Sequence, residues 1–186
     1  MSKINIKKLV MAAVMLALGL ALPFFIGRIP DIGMRLSPMH IPVLICGFAC
    51  GWKYGLAVGA VTPLLNSLLM GSPPMLAPFP MAPAMAFELA VYGGLSGLLY
   101  MLLPKKMLYI YPTLIISMIA GRIVWGAAMF MFAQTGIMTA GPIFPFTLNI
   151  FWTWAFANGV PGIILHILII PPVIIALKRA GYVLNR

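Results

Sequence analysis

Ionisable side chains are scarce in this sequence, and those in apolar surroundings are the residues best placed to do chemistry. Only 8% of the 186 residues are charged, and Asp and Glu together number 2. Glu88 stands in "MAPAMAFELAVYGG" and Arg122 in "MIAGRIVWGAAMF". An ionisable group at the centre of a membrane helix costs about 2.5–3.5 kcal/mol on insertion scales, so each asks for a reason. Helix rise from the expected span ends puts Glu88 about 10 Å below the outer membrane boundary. Arg122, Asn66 and Asn158 fall in the same leaflet, and His40 opens its segment from that side. Tyr92 follows Glu88 by four residues, Trp125 follows Arg122 by three, and Trp154 precedes Asn158 by four. Each pair shares a helix face. Aromatic and apolar walls with a few convergent polar groups are the chemistry of a small-molecule pocket. A Glu88–Arg122 ion pair that merely locks two helices is the plainer reading, and the two are compatible.

Catalytic patterns are weak by comparison. "GLSG" (94–97) matches the GxSG of rhomboid intramembrane serine proteases, with Ser96 on the fourth expected span and His166 on the sixth. Both fall about 21–23 Å from the outer boundary, too deep for a nucleophile that must meet water. The protease pattern of a histidine–asparagine pair on the second span is missing, and His166 sits in "LHIL" rather than AHxxG. Ser96 therefore reads as a small packing residue and His166 as a neutral histidine bonded to a neighbouring helix, with the protease kept as the alternative. Cys46 and Cys50 have neither redox nor zinc spacing and read as small hydrophobes, with no disulfide. No metal site or cofactor is expected. The sequence has no GxxxxGK[ST], so any ATP-driven work needs a motor from elsewhere.

The elements that must position these groups follow from composition. With 63% hydrophobic residues and a mean hydropathy of +1.09, the chain is expected to be an integral membrane protein. About 20 residues per span gives six helices with short connections and no soluble domain. The expected architecture is all-α, one transmembrane domain over 1–186, with spans near 8–26, 39–51, 54–70, 81–103, 107–134 and 152–177. Lys3, Lys7, Lys8, Lys53, Lys105, Lys106, Lys178, Arg179 and Arg186 then share one side, against Arg28 and Arg35 on the other. That puts both termini in the cytoplasm. The net charge of +10 is thereby explained by insertion into lipid, and no nucleic-acid partner is expected.

The second segment, "HIPVLICGFAC", is too short to cross comfortably, and "GWKY" after it reads as a cytoplasmic turn. Gly47, Gly51, Gly55 and Gly59 recur every four residues, as do Ala82, Ala86, Ala90 and Gly94, which lets helices approach closely. Ala13, Ala17 and Ala21 form a similar strip on the first span, suited to a partner helix. The proline-rich stretch 71–83 and the stretch 135–149 are long, stiff outer loops expected to act as lids.

Together these features resemble the substrate-binding S components of energy-coupling factor (ECF) vitamin transporters of prokaryotes, over essentially the whole chain. "AVMLALGLA" looks like the family's AxxxA coupling motif, carried by Ala13 and Ala17 with Ala21 extending it. "HIPVLICGFACGWKYGLAVGAV" (40–61) is similar to its second-to-third helix passage. The resemblance implies a non-enzymatic subunit of the prokaryotic cytoplasmic membrane. It would capture a vitamin from outside and topple while docked on a membrane scaffold driven by two ATPases. His40, Asn66, Glu88, Tyr92, Arg122, Trp125, Trp154 and Asn158 are the expected substrate contacts. "SPMH" replaces the acidic residue associated with riboflavin-type members, and Arg122 suits a carboxylate. The second to fifth helices look similar to pantothenate-type members, with another carboxylate-bearing or aromatic vitamin left open.

Overall fold

The computed structural model describes residues 6–26, 37–104 and 106–185. Lys3, Arg28, Arg35, Lys105 and Arg186 lie outside the described residues. Within them every regular element is helical: α1 (Ile6–Ile26), α2 (His40–Cys50), α3 (Trp52–Met70), α4 (Met81–Leu102), α5 (Ile110–Gln134), α6 (Leu148–Trp152) and α7 (Val160–Arg179). A 3₁₀ turn (Met107–Tyr109) leads into α5, and a π-helical turn (Thr153–Ala157) joins α6 to α7. The all-α expectation holds. Four stretches are long and apolar enough to cross a membrane: Ile6–Ile26, Met81–Leu102, Met107–Gln134 and Leu148–Arg179.

The short second segment is the centre of the bundle. Every residue of α2 is buried, and α1, α3, α4 and α7 pack around it. A helix that is hydrophobic all round belongs in such a place. Its 11 residues rise only about 16 Å, about half of what a ~30 Å hydrocarbon core requires, so His40 begins part-way along the bundle. Gly51 alone separates α2 from α3, at φ +100°, a backbone state that side-chain-bearing residues rarely adopt. The turn is thus tighter than "GWKY", most of which is the first turn of α3.

The most extensive helix packing joins α3 to α4. A Cβ on Gly55 would strike the Gly93 carbonyl, and one on Gly97 would strike the Trp52 backbone. The α2–α3 glycine ridge is where the spacing puts it, but its counterpart is Gly93 and Gly97 rather than the strip ending at Gly94. At Gly94 a Cβ would make an ordinary 3.6 Å contact with Leu56.

The two ends of the bundle differ. One carries the Gly51 turn, the α4–α5 connection and the C-terminal tail. There the Leu184 N–H donates to the Ala49 carbonyl (2.7 Å) and the Asn185 amide to the Gly97 carbonyl (2.8 Å). Lys7, Lys8, Lys53, Lys106, Lys178 and Arg179 belong to this turn end. The other carries the two long loops, which fasten to each other. The Pro78 carbonyl accepts from the N–H groups of Thr139 (3.1 Å) and Ala140 (3.4 Å), and Phe79 lies against Gly141. Beneath them a second apolar cluster gathers Met138, Ile143 and Phe146 from one loop, Phe79 from the other, and Trp125, Met129 and Phe132 from α5.

Candidate functional site

The buried polar groups meet at mid-height, between the two apolar clusters. Arg122 stands twelve residues from either end of α5. His40 heads the half-length α2, and Glu88 reaches the same level from α4. The Glu88 carboxylate, 1% exposed, has Oε1 3.1 Å from Arg122 Nη1 and 3.7 Å from His40 Nε2. His40 Nδ1 donates to the Ser37 carbonyl at 3.1 Å, which fixes its ring. The Tyr92 ring lies 5.3 Å from that of His40, and its hydroxyl faces Glu88. Tyr92 can lie so close to α5 because Gly121 leaves room, where a Cβ would collide with the ring.

His166 completes the cluster. Its ring stacks on His40 at 5.8 Å, tilted by 26°. Reading depth from span ends separated His166 from the other polar groups. The structure unites them because α2 is half-length, so that His40 opens it at the mid-height level that His166 reaches on α7. The arrangement has no Ser–His pair among the described residues: the Ser96 hydroxyl donates to the carbonyls of Gly93 (3.2 Å) and Leu44 (3.4 Å). Ser96 is thus a packing residue against α2, and the geometry gives the protease reading no support.

The other expected contacts fall around this core or away from it. Trp125 is buried one turn beyond Arg122, edge-on to Phe146 at 6.0 Å, and joins the cluster to the loops. Trp154 is half-buried in the π-helical turn and packs on the same apolar cluster. Asn158 closes that turn with an exposed side chain, its N–H donating to the Thr153 carbonyl (2.8 Å). Asn66 is buried on the face of α3 that carries Thr62, and Thr62 packs against Gly19 of α1. Neither asparagine is brought against the Glu88–Arg122 pair. The neighbour of Asn158 is. A Cβ on Gly159 would lie 3.3 Å from Arg122 Nη2, so the break between α6 and α7 makes room for the guanidinium. Such π-helical turns occur often at functional sites. "ANGVPG" carried the signal, since a glycine and a proline inside an apolar span mark an interruption.

Several polar atoms here have no hydrogen-bond partner among the described residues: His40 Nε2, Glu88 Oε1, Arg122 Nε, Trp125 Nε1 and both ring nitrogens of His166. The Glu88–Arg122 contact is therefore an ion pair without hydrogen-bond alignment. Buried polar groups are normally satisfied, and a cluster of orphans suits a polar ligand. The unpartnered set holds donors (Arg122 Nε, Trp125 Nε1) and an acceptor (Glu88 Oε1), with imidazoles able to serve as either. A surface groove of about 540 Å³ lies elsewhere, at the turn end beside Tyr111 and Arg179, and contains none of these groups. Among the described residues no group of three or more His, Cys, Asp or Glu could hold a metal. Cys46 and Cys50 are free and buried.

On α1 the bundle-facing residues are Ala12, Met15 and Gly19. Ala13 and Ala17 are exposed and Ala21 is half-buried, so the small-residue strip looks away from the bundle.

A family model described as "ECF transporter, substrate-specific component" matches residues 7–174. No curated protein and no solved structure matches the chain.

Proposed function

We propose, for a chain that belongs to the family of ECF transporter substrate-specific components, that its substrate is a carboxylate-bearing vitamin of the pantothenate type. Membership makes it a multi-pass membrane protein and a substrate-binding transport subunit rather than an enzyme, working with an ECF scaffold and ATPase components on a small molecule. The finer reading is ours. The chain crosses the prokaryotic cytoplasmic membrane six times, with the lysine- and arginine-rich turn end in the cytoplasm. Substrate arrives from outside beneath the clasped loops and is delivered through the scaffold and its two ATPases.

The observation that carries this reading is the set of unpartnered buried atoms around Glu88 and Arg122. Arg122 meets the carboxylate, because a guanidinium offers donors in a fork that fits it. Glu88, His40 and Tyr92 bind the polar remainder, and Trp125 with Trp154 forms walls toward the loops. Asn66 and Asn158 have secondary parts, in the α1–α3 contact and the α6–α7 break respectively. The exposed strip Ala13, Ala17 and Ala21 is the docking face for the scaffold, since small residues let a partner helix approach.

Mass spectrometry of the small molecule released from purified protein tests the substrate class. Pantothenate affinity of folded, monodisperse Arg122→Gln tests the site. The expected loss is about 100-fold, the size of a buried charge-assisted contact. Unchanged affinity would make Arg122 purely structural.

A further inference from the structure

With its imidazoles unprotonated, the buried cluster carries no net charge before any substrate arrives. Glu88 and Arg122 balance each other, and the other titratable groups facing them are His40 on α2, Tyr92 on α4 and His166 on α7. The titratable groups of α1 and α3 (Lys7, Lys8, Lys53 and Tyr54) lie at the turn end. A substrate carboxylate on Arg122 would set a second anion beside Glu88, where water is excluded and an unbalanced charge is unfavourable. A positive charge has to accompany it.

The hydrogen bonding of His40 indicates where that charge resides. A carbonyl only accepts, so Nδ1, 3.1 Å from the Ser37 carbonyl, carries a hydrogen. In a neutral imidazole Nε2 is then a bare acceptor. It is buried, has no hydrogen-bond partner, and stands 3.7 Å from Glu88 Oε1, whose ion pair with Arg122 leaves it without an aligned hydrogen bond. A bare imidazole nitrogen facing a carboxylate oxygen that has no aligned hydrogen bond makes a seat for a proton.

We propose that the substrate anion binds together with one proton, held on His40 Nε2 against Glu88. This rests on the reading of Arg122 as the seat of a carboxylate. The proton comes from solvent, and His40 becomes an imidazolium that donates from Nδ1 to Ser37 and from Nε2 to Glu88. Glu88 exchanges Arg122 for His40, and the released guanidinium takes the substrate. The cluster gains one anion and one proton and stays neutral. His166 restricts uptake to a single proton, because two charged imidazoles stacked at 5.8 Å would repel.

Calorimetric titration of the purified protein with pantothenate, in buffers of differing ionisation enthalpy at alkaline pH, reads the protons bound per ligand. Uptake of about one is expected, with affinity falling about tenfold per pH unit wherever His40 is neutral in the free protein. The chain has 2 histidines, so ¹⁵N-histidine NMR resolves each ring. Pantothenate should convert one ring to the doubly protonated form, and His40→Gln should abolish both that signal and the proton uptake. Binding without uptake, or uptake that persists in His40→Gln, overturns the proposal while leaving the substrate reading intact. Should His40→Gln not fold, wild-type NMR decides: two rings that stay neutral in the bound state refute it. If pantothenate does not bind at all, the anion reading falls and takes this proposal with it.

Discussion

Glu88 and Arg122 face each other from α4 and α5, and removing either one should be worse than removing both. A lone buried charge left by a single substitution costs about 3–5 kcal/mol, whereas replacing a whole pair is often neutral. Thermal unfolding should therefore show Glu88→Gln and Arg122→Gln each destabilised, with the double variant recovering most of the loss. Additive losses would mean that the two do not act as a pair in the folded protein. The pair and its residue types were legible in the sequence, because a charge inside an apolar run stands out. The part of His166 was not. Its depth was measured along a single helix, whereas its neighbours depend on how far into the bundle α2 reaches.

At the scale of elements, the α3–α4 contact depends on backbone meeting backbone at Gly55 and Gly93. Gly93→Val should cost at least the ~1–3 kcal/mol of core overpacking, since backbone yields less than a side chain. Gly94→Ala, whose added methyl meets only an ordinary contact, should leave the melting temperature within a few degrees. Equal effects at 93 and 94 would show that the helices do not meet in this register. Spacing announced close approach on both helices, but a periodic pattern fixes a face only to within a residue. The interruption of the last span was marked only by the glycine and proline of "ANGVPG". Those residues announce a break, but its form, a ladder that slips into a π turn, is seen only in the backbone.

For the whole molecule, binding and transport should separate. Ala13 and Ala17 point away from the bundle and the polar cluster lies on other helices. Ala13→Trp and Ala17→Trp should therefore keep ligand affinity and lose uptake in vesicles that hold the scaffold and ATPases. Normal uptake would place the docking face elsewhere. Hydrogen exchange at the N–H groups of Thr139 and Ala140, which the clasp bonds to Pro78, should slow when pantothenate is bound if the loops are the proposed lid. Unchanged exchange would argue for a route that bypasses the loops.

That clasp also bears on the speed of exchange with the medium. Both of its hydrogen bonds end on one carbonyl, so under the proposed entry beneath these loops, passage in either direction would wait on the same event. Arrival and escape would then be throttled by a common gate. A loop variant that loosens the gate without touching the cluster should raise the association and dissociation rates by similar factors and leave their ratio nearly constant. Such a subunit can hold its cargo for a long residence time without binding it more strongly.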